Sequence, residues 1–246
     1  MKKLVLASLI ALAASQAAGC IITSGDDDTG ENAFVSATWK LRSEKTNTDV
    51  PCPPTFDTAA LFNQPIDANG NNAGPVIVDL FNCADTAGTS AALPPTTYLT
   101  WVEIQNSNGS NTYAKSLSAV VDVTVSDKTF NTQILVDGGY FQLQWQLQGA
   151  STNAALTCAQ ANAAGGVETV GTDVSDPNNS NSDIFDCEDQ YGVTAGYTMG
   201  TYTVSVAALN SSDASVGTAP ALTNKVIQDK NQVTNLGTIT IPITGM

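Results

Sequence analysis

The sequence predicts an all-β fold of two tandem antiparallel β-sandwiches, and three observations predict it. Apolar and polar residues alternate strictly in several stretches, the period of a strand with one buried face. A block of motifs occurs twice, about 105 residues apart, as in a duplicated structural unit. Thr, Asn, Ser, Val and Gln are abundant while Lys and Arg number only nine in 246 residues, a composition typical of exported β-rich proteins.

The first element is a leader. Lys2 and Lys3 precede an apolar run over residues 4–14, and Ala17-Ala18-Gly19-Cys20 follows. A charged start, a short apolar run and small residues at a cut site read as a secretory signal over residues 1–19. The run is too short to span a bilayer, which needs roughly 20 apolar residues. A cysteine directly after Ala-Ala-Gly resembles the lipobox of bacterial lipoproteins. The resemblance implies cleavage before Cys20 and acylation of Cys20, with palmitate among its chains. Several acyl chains, at about 0.8 kcal/mol per methylene, then make the lipid bilayer a permanent partner. In that family the residue after the cysteine influences sorting. Ile21 is not the aspartate associated with inner-membrane retention, so the resemblance favours the cell outer membrane. Residues 20–33 are polar, acidic and Gly-bearing, and are expected to form a flexible tether.

The repeat comes next. Trp39 and Trp145 lie 106 residues apart, as do Cys52 and Cys158. Phe81 and Phe185, Cys83 and Cys187, and Tyr98 and Tyr202 lie 104 apart, and Asp127-Lys128 returns 102 residues on as Asp229-Lys230. The expected domains are therefore 34–137 and 140–246. Within them, Leu143, Trp145 and Leu147 share one face of a strand, as do Tyr202, Val204 and Val206, and Ile239, Ile241 and Ile243. Pro242 marks an edge or a strand end. One buried face per strand in about 105 residues points to two packed sheets per copy. Residues 63–74 and 171–183 are rich in Asn, Asp, Gly and Ser and read as long loops, and residues 154–164 read as a short helix. Asp137-Gly138-Gly139-Tyr140 reads as a short hinge.

With Cys20 assigned to lipid, Cys52, Cys83, Cys158 and Cys187 remain. An even count in an exported chain implies disulfides, and four cysteines permit three connectivities. The repeat selects Cys52–Cys83 and Cys158–Cys187, one within each copy. Gly200-Thr-Tyr202-Thr-Val204-Ser-Val206 resembles the G-x-Y-x-V-x-V strand of prealbumin-like and carboxypeptidase-regulatory-like sandwiches, an Ig-like group. In copy one, Thr96 replaces the glycine. Lipobox, tandem copies, a W-x-L strand and an F-x-C motif together are similar to uncharacterised lipoproteins of Gram-negative bacteria. The resemblance implies fold and address, and no activity.

Charge and chemistry narrow the function. Removing the leader takes away Lys2 and Lys3, leaving seven basic against 23 acidic residues, a formal charge of 7 − 23 = −16. A phosphate backbone is repelled by such a chain, so nucleic acid is excluded as a partner. Histidine is absent, which removes the usual general base near neutral pH and the commonest zinc ligand. No catalytic residues stand out, and the expectation is a non-enzymatic binding, adhesion or structural module with a protein or glycan ligand. Two alternatives are weighed beside it. Oxygen ligands at Asp67, Asn69 and Asn71, and at Asp173, Asp176 and Asp183, suit a hard cation such as Ca2+, although Asn and Asp also favour ordinary turns. A glycan hydrolase would need two converging carboxylates, which no spacing singles out. Aligning Tyr98 with Tyr202 turns Thr100, Val102 and Ile104 inward and Trp101 outward, where copy two has Ser205. Trp101 is thus the candidate interaction residue.

Overall fold

The computed structural model describes residues 32–245, and its regular elements are strands joined by turns and two short 3-10 turns. Residues 1–31, with the expected leader, Cys20 and most of the expected tether, lie outside the described residues. The first half runs β1 (Val35–Ser43), β2 (Thr48–Val50), β3 (Thr58–Pro65), β4 (Ile77–Asn82), a 3-10 turn (Cys83–Asp85), β5 (Ala87–Thr89), β6 (Thr97–Gln105), β7 (Thr112–Lys115), β8 (Ala119–Asp122) and β9 (Lys128–Leu135). The second runs β10 (Gly138–Gly149), β11 (Ala155–Leu156), β12 (Gly166–Asp173), β13 (Ser180–Phe185), a 3-10 turn (Cys187–Asp189), β14 (Tyr191–Val193), β15 (Tyr197–Thr198), β16 (Gly200–Leu209), β17 (Ser215–Thr218), β18 (Leu222–Ile227) and β19 (Gln232–Ile243). The all-β expectation holds, and the halves repeat each other almost strand for strand.

In the first half β1 pairs with β2, β5 and β9, and a second sheet is ordered β4-β3-β6-β7 with β8 also on β6. Alternation along β1 buries Val35, Ala37, Trp39 and Leu41, and along β6 it buries Tyr98, Thr100, Val102 and Ile104. The apolar members of both sets fall in one cluster with Leu61, Phe130 and Ile134, so the core lies between the two sheets. The second half builds its own cluster from Phe141, Leu143, Trp145, Tyr202, Val204, Val206, Ile239 and Ile241. There the two layers join at one corner, where Gly217 on β17 pairs with Ile243 on β19.

Antiparallel pairing has one exception per half: β1 runs parallel to β9, and β10 to β19. The chain arrives at each closing strand from the opposite sheet. It therefore crosses the core before pairing, which a hairpin does not.

Both disulfides form as expected, Cys52–Cys83 and Cys158–Cys187, with Cα–Cα distances of 6.1 and 6.0 Å. Each closes against its own tryptophan. The Trp39 indole N–H donates to the Cys83 carbonyl at 2.9 Å, and that of Trp145 to the Cys187 carbonyl at 3.1 Å. The Tyr98 and Tyr202 hydroxyls reach back four residues, to the carbonyls of Pro94 and Thr198. Such a bond fixes the turn that feeds the strand.

Three local expectations are corrected. Residues 154–164 form no helix: β11 is followed by turns, and Asn162 adopts a left-handed φ of 54° that ends the coiling. The second long loop shrinks to residues 174–179, because Gly171, Asp173, Asn181 and Asp183 belong to β12 and β13, whereas the first loses only residues 63–65 to β3 and runs over residues 66–76. Asn, Gly and Asp are poor strand formers in isolation, and cross-strand packing overrides that. Pro242 is the penultimate residue of β19, opposite Gln148, and marks the strand's end as expected. Finally, the Gly138-Gly139 hinge is strand. A Cβ on Gly138 would lie 2.2 Å from the Tyr197 carbonyl oxygen, and one on Gly139 2.2 Å from that of Gln232. The glycines permit close backbone approach at the junction.

Candidate functional site

On β6 the residues facing away from the core are Thr97, Leu99, Trp101 and Glu103, and the structure turns Trp101 outward as the alternation requires. Trp101 stands opposite Phe62 on β3, and the rings stack with centroids 5.0 Å apart and planes 4° from parallel. From the β7 side, Lys115 places its ammonium 4.0 Å from the Trp101 ring centroid. Such a cation over an aromatic face contributes roughly 0.5–2 kcal/mol. Glu103 pairs in register with Lys115 and accepts the indole N–H of Trp101 at 2.9 Å and the Thr112 hydroxyl at 3.1 Å. Burial lowers the Lys115 pKa, and Glu103 opposes that shift. Both faces of the indole are thus occupied, and what Trp101 offers a partner is its edge, within a wider apolar surface.

That surface is continuous by register. Val78 lies opposite Phe62, Leu80 opposite Ala60, and Val120 opposite Leu99. Leu80 is 60 % exposed and Val120 51 %. In the second half Val170 and Ser205 pair as Phe62 and Trp101 do, with Ser182 in the place of Val78 and Thr218 in that of Lys115. The same fold carries an aromatic, apolar face in one copy and a small, more polar one in the other.

The acidic positions form ordinary turns. Asp67 accepts backbone N–H bonds from Asn69 at 2.8 Å and Asn71 at 2.9 Å, and the Asn71 side-chain amide bonds its other oxygen. The bonds from Asn71 foremost lower its pKa. Asp173 accepts both the backbone N–H and the hydroxyl of Ser175 at 2.7 Å, with the same effect. Asp176 caps Asn178. Asp183 is not with them: it points inward from β13 and accepts the Ala195 N–H at 3.1 Å, as Asp79 accepts that of Ala91. Among the described residues no three or more acidic or cysteine side chains converge to hold a metal ion.

Two features escaped the sequence reading. A polar cleft of about 650 Å³ opens where the halves meet, lined by Glu44, Asp137, Asp173, Asn179 and Asn181 among others. Asp137 spends its oxygens within the protein, on the Ser43 hydroxyl and the Glu44 N–H, each at 2.6 Å. Burial raises the Glu44 pKa, with Arg42 opposing and Asp137 reinforcing the shift. Beside the cleft, buried Asn231 accepts the Leu135 N–H at 2.6 Å and donates to the Lys115 carbonyl at 2.9 Å, tying the second half to two strands of the first. Only the recurrence of Asp-Lys just before it marked this segment in the sequence.

No family model matches the chain, and no curated protein does. Solved structures to which the chain is similar include a leucine-rich repeat protein from Bacteroides thetaiotaomicron, at 11 % identity and TM-score 0.37, over 87 % of this chain and 26 % of that one. This chain therefore spans about a quarter of that protein's length. The minor pilin GBS52 of Streptococcus agalactiae is 10 % identical at TM-score 0.30, over 87 % of this chain and 98 % of that one. The fimbrial anchor protein Mfa2 from Porphyromonas gingivalis is 10 % identical at TM-score 0.28, over 76 % and 81 %. No function is transferred from them.

Proposed function

We propose that this protein is a non-catalytic envelope lipoprotein, anchored through acylated Cys20, whose first half presents its outer sheet face to a protein or glycan partner. The two sandwiches are the domains 34–137 and 140–246, and the outer membrane is the address that Ile21 favours. The observation that carries the reading is the internal contrast between the copies. Both halves meet the same folding demands, yet only the first sets Phe62, Leu99, Trp101 and Lys115 on that face, where the second has Val170, Thr203, Ser205 and Thr218. Residues that folding does not require, clustered and partly solvent-facing, are those a partner would use.

The test grafts one copy onto the other. Phe62→Val, Leu99→Thr, Trp101→Ser and Lys115→Thr together give the first face residues that the second already accommodates. Binding of the full chain to separated envelope protein and glycan fractions should then fall at least tenfold, with the melting transition retained. Equal binding by the grafted and native chains would remove the surface from consideration. For the anchor, Cys20→Ala should abolish labelling by a palmitate analogue, and persistent labelling would refute acylation at that residue.

A further inference from the structure

The second sheet of the first half ends on β4, which pairs with β3 and with no other described strand. Its free side presents backbone N–H and C=O groups to solvent, a template for another strand. Natural edges are usually blunted by outward charges, prolines or bulges. Here residues 76–82 read Val-Ile-Val-Asp-Leu-Phe-Asn, and the β3–β4 register runs without a break. Their one charge, Asp79, points inward onto the Ala91 N–H. Val76, Val78 and Leu80 are instead exposed, at 41, 39 and 60 %. The equivalent edge of the second half, β13, has Ser180 and Ser182 in the places of Val76 and Val78. Ile184 matches Leu80 there and is likewise exposed, so the fold does not demand valines at positions 76 and 78.

We propose that β4 pairs antiparallel with β4 of a second copy of this chain, joining two five-stranded sheets across a two-fold axis at Val78. Two arguments select a second copy, and the contact area sets its strength. The edge is self-complementary: with the axis at Val78, the two Val78 side chains face each other and Leu80 of each copy meets Val76 of the other. Such an isologous contact uses the same patch on both partners and closes at the dimer. Charge agrees. The chain carries a formal −14 and repels itself over most of its surface. Along this edge no outward side chain is charged, and the nearest outer-face charges, Glu103 and Lys115, are of opposite sign and stand opposite each other in register. A basic partner would be drawn to the acidic loops instead. Finally, two strands of six residues bury less than the about 1,200–2,000 Å² of a stable standard interface, so the dimer is weak and concentration-dependent.

The inference goes beyond the reading of the outer face, and different residues test it. Sedimentation equilibrium of the full chain in a neutrally buoyant detergent, from about 1 to 200 µM, should show an average mass rising toward twice the monomer, as a weak interface requires. The Val76→Ser, Val78→Ser double variant takes its residues from β13 and should stay monomeric throughout. The Phe62/Leu99/Trp101/Lys115 graft should dimerise as the native chain does, which separates loss of a partner from loss of the dimer. Paired antiparallel residues lie about 5 Å apart at Cα, so Val78→Cys should cross-link copies on mild oxidation. A native chain that is monomeric throughout, a double variant that dimerises equally, or no cross-link at Val78→Cys would each overturn the proposal.

Discussion

Position by position, the two copies solve the same packing problem with different residues. In the first half, buried Leu93 faces the core and Asn63 on β3 accepts the Thr100 hydroxyl at 2.9 Å. At the matching places the second half has Tyr197 and Gly171. The ring fills the space a side chain would take, since a Cβ on Gly171 would lie 2.5 Å from it. The Tyr197 hydroxyl donates to the Asn181 carbonyl at 3.0 Å and accepts the Gly171 N–H at 3.2 Å. Tyr197→Phe should therefore cost about 1–2 kcal/mol in urea denaturation at neutral pH, because the buried Gly171 N–H and the part-buried Asn181 carbonyl lose their partner. Burial, with Asp183 reinforcing it, pushes the Tyr197 pKa up to about 12, and burial does the same for Tyr140. A phenol in the unfolded chain ionises near 10. Below that pH both states hold the proton and the stabilisation is complete. As pH rises from 10 toward 12 the unfolded state loses the proton first, so stability falls. Tyr197→Phe should shallow that fall, leaving the share due to Tyr140 and the other tyrosines whose pKa burial raises, and an unchanged alkaline slope would contradict the assignment.

Among the elements, the unit of construction is a strand tryptophan, a disulfide and a 3-10 turn. Asn82 and Asp186 cap the two turns with their side chains, and Thr86 and Gln190 end them in left-handed conformations. Each bridge spans a sequence separation of 31 or 29 residues and holds the carbonyl that its tryptophan bonds. Replacing Cys158 and Cys187 by Ser should lower stability by about 3–4 kcal/mol on the chain-entropy account. Equilibrium denaturation with tryptophan emission checks this, and a loss below 1 kcal/mol would show that the bridge constrains little. The tryptophan and the disulfide of this unit were legible in the sequence, because Trp39, Cys52, Phe81 and Cys83 recur at nearly fixed spacing, and the 3-10 turn was not. Nor were the hairpin limits. Asn63, Gly171 and Asp183 are weak strand formers by themselves, and they extend only because neighbouring strands complete their hydrogen bonds.

Across the whole molecule, the question is whether the halves act as one body. Asn231 has a left-handed φ of 64°, and its amide bridges Leu135 and Lys115 from a nearly fully buried position. Its own N–H donates to the Gly138 carbonyl at 2.9 Å, and Met199 N–H bonds the Asp137 carbonyl. Asn231→Gly keeps that backbone conformation without strain and removes the amide, so its effect reports the bridge. The native chain should melt in one calorimetric transition. Asn231→Gly should split it in two and cost about 2–4 kcal/mol, as two backbone groups are left unpaired. A single unchanged transition would show that the junction is held elsewhere.

By itself the sequence determined the all-β class, the duplication, the two cross-links and the inward face of each main strand. These depend on local periodicity and on spacing repeated within the chain, which one dimension can carry. Only the tertiary structure decided the parallel closing strands, the Phe62 and Lys115 side chains flanking Trp101, the apolar edge of β4 and the Asn231 bridge. Each arises from strands distant in sequence set side by side, within one sheet for the Trp101 cluster and the β4 edge, and between layers or halves for the closing strands and the Asn231 bridge. The Asn231–Lys115 bond spans 116 positions, and no local pattern encodes a partner that distant.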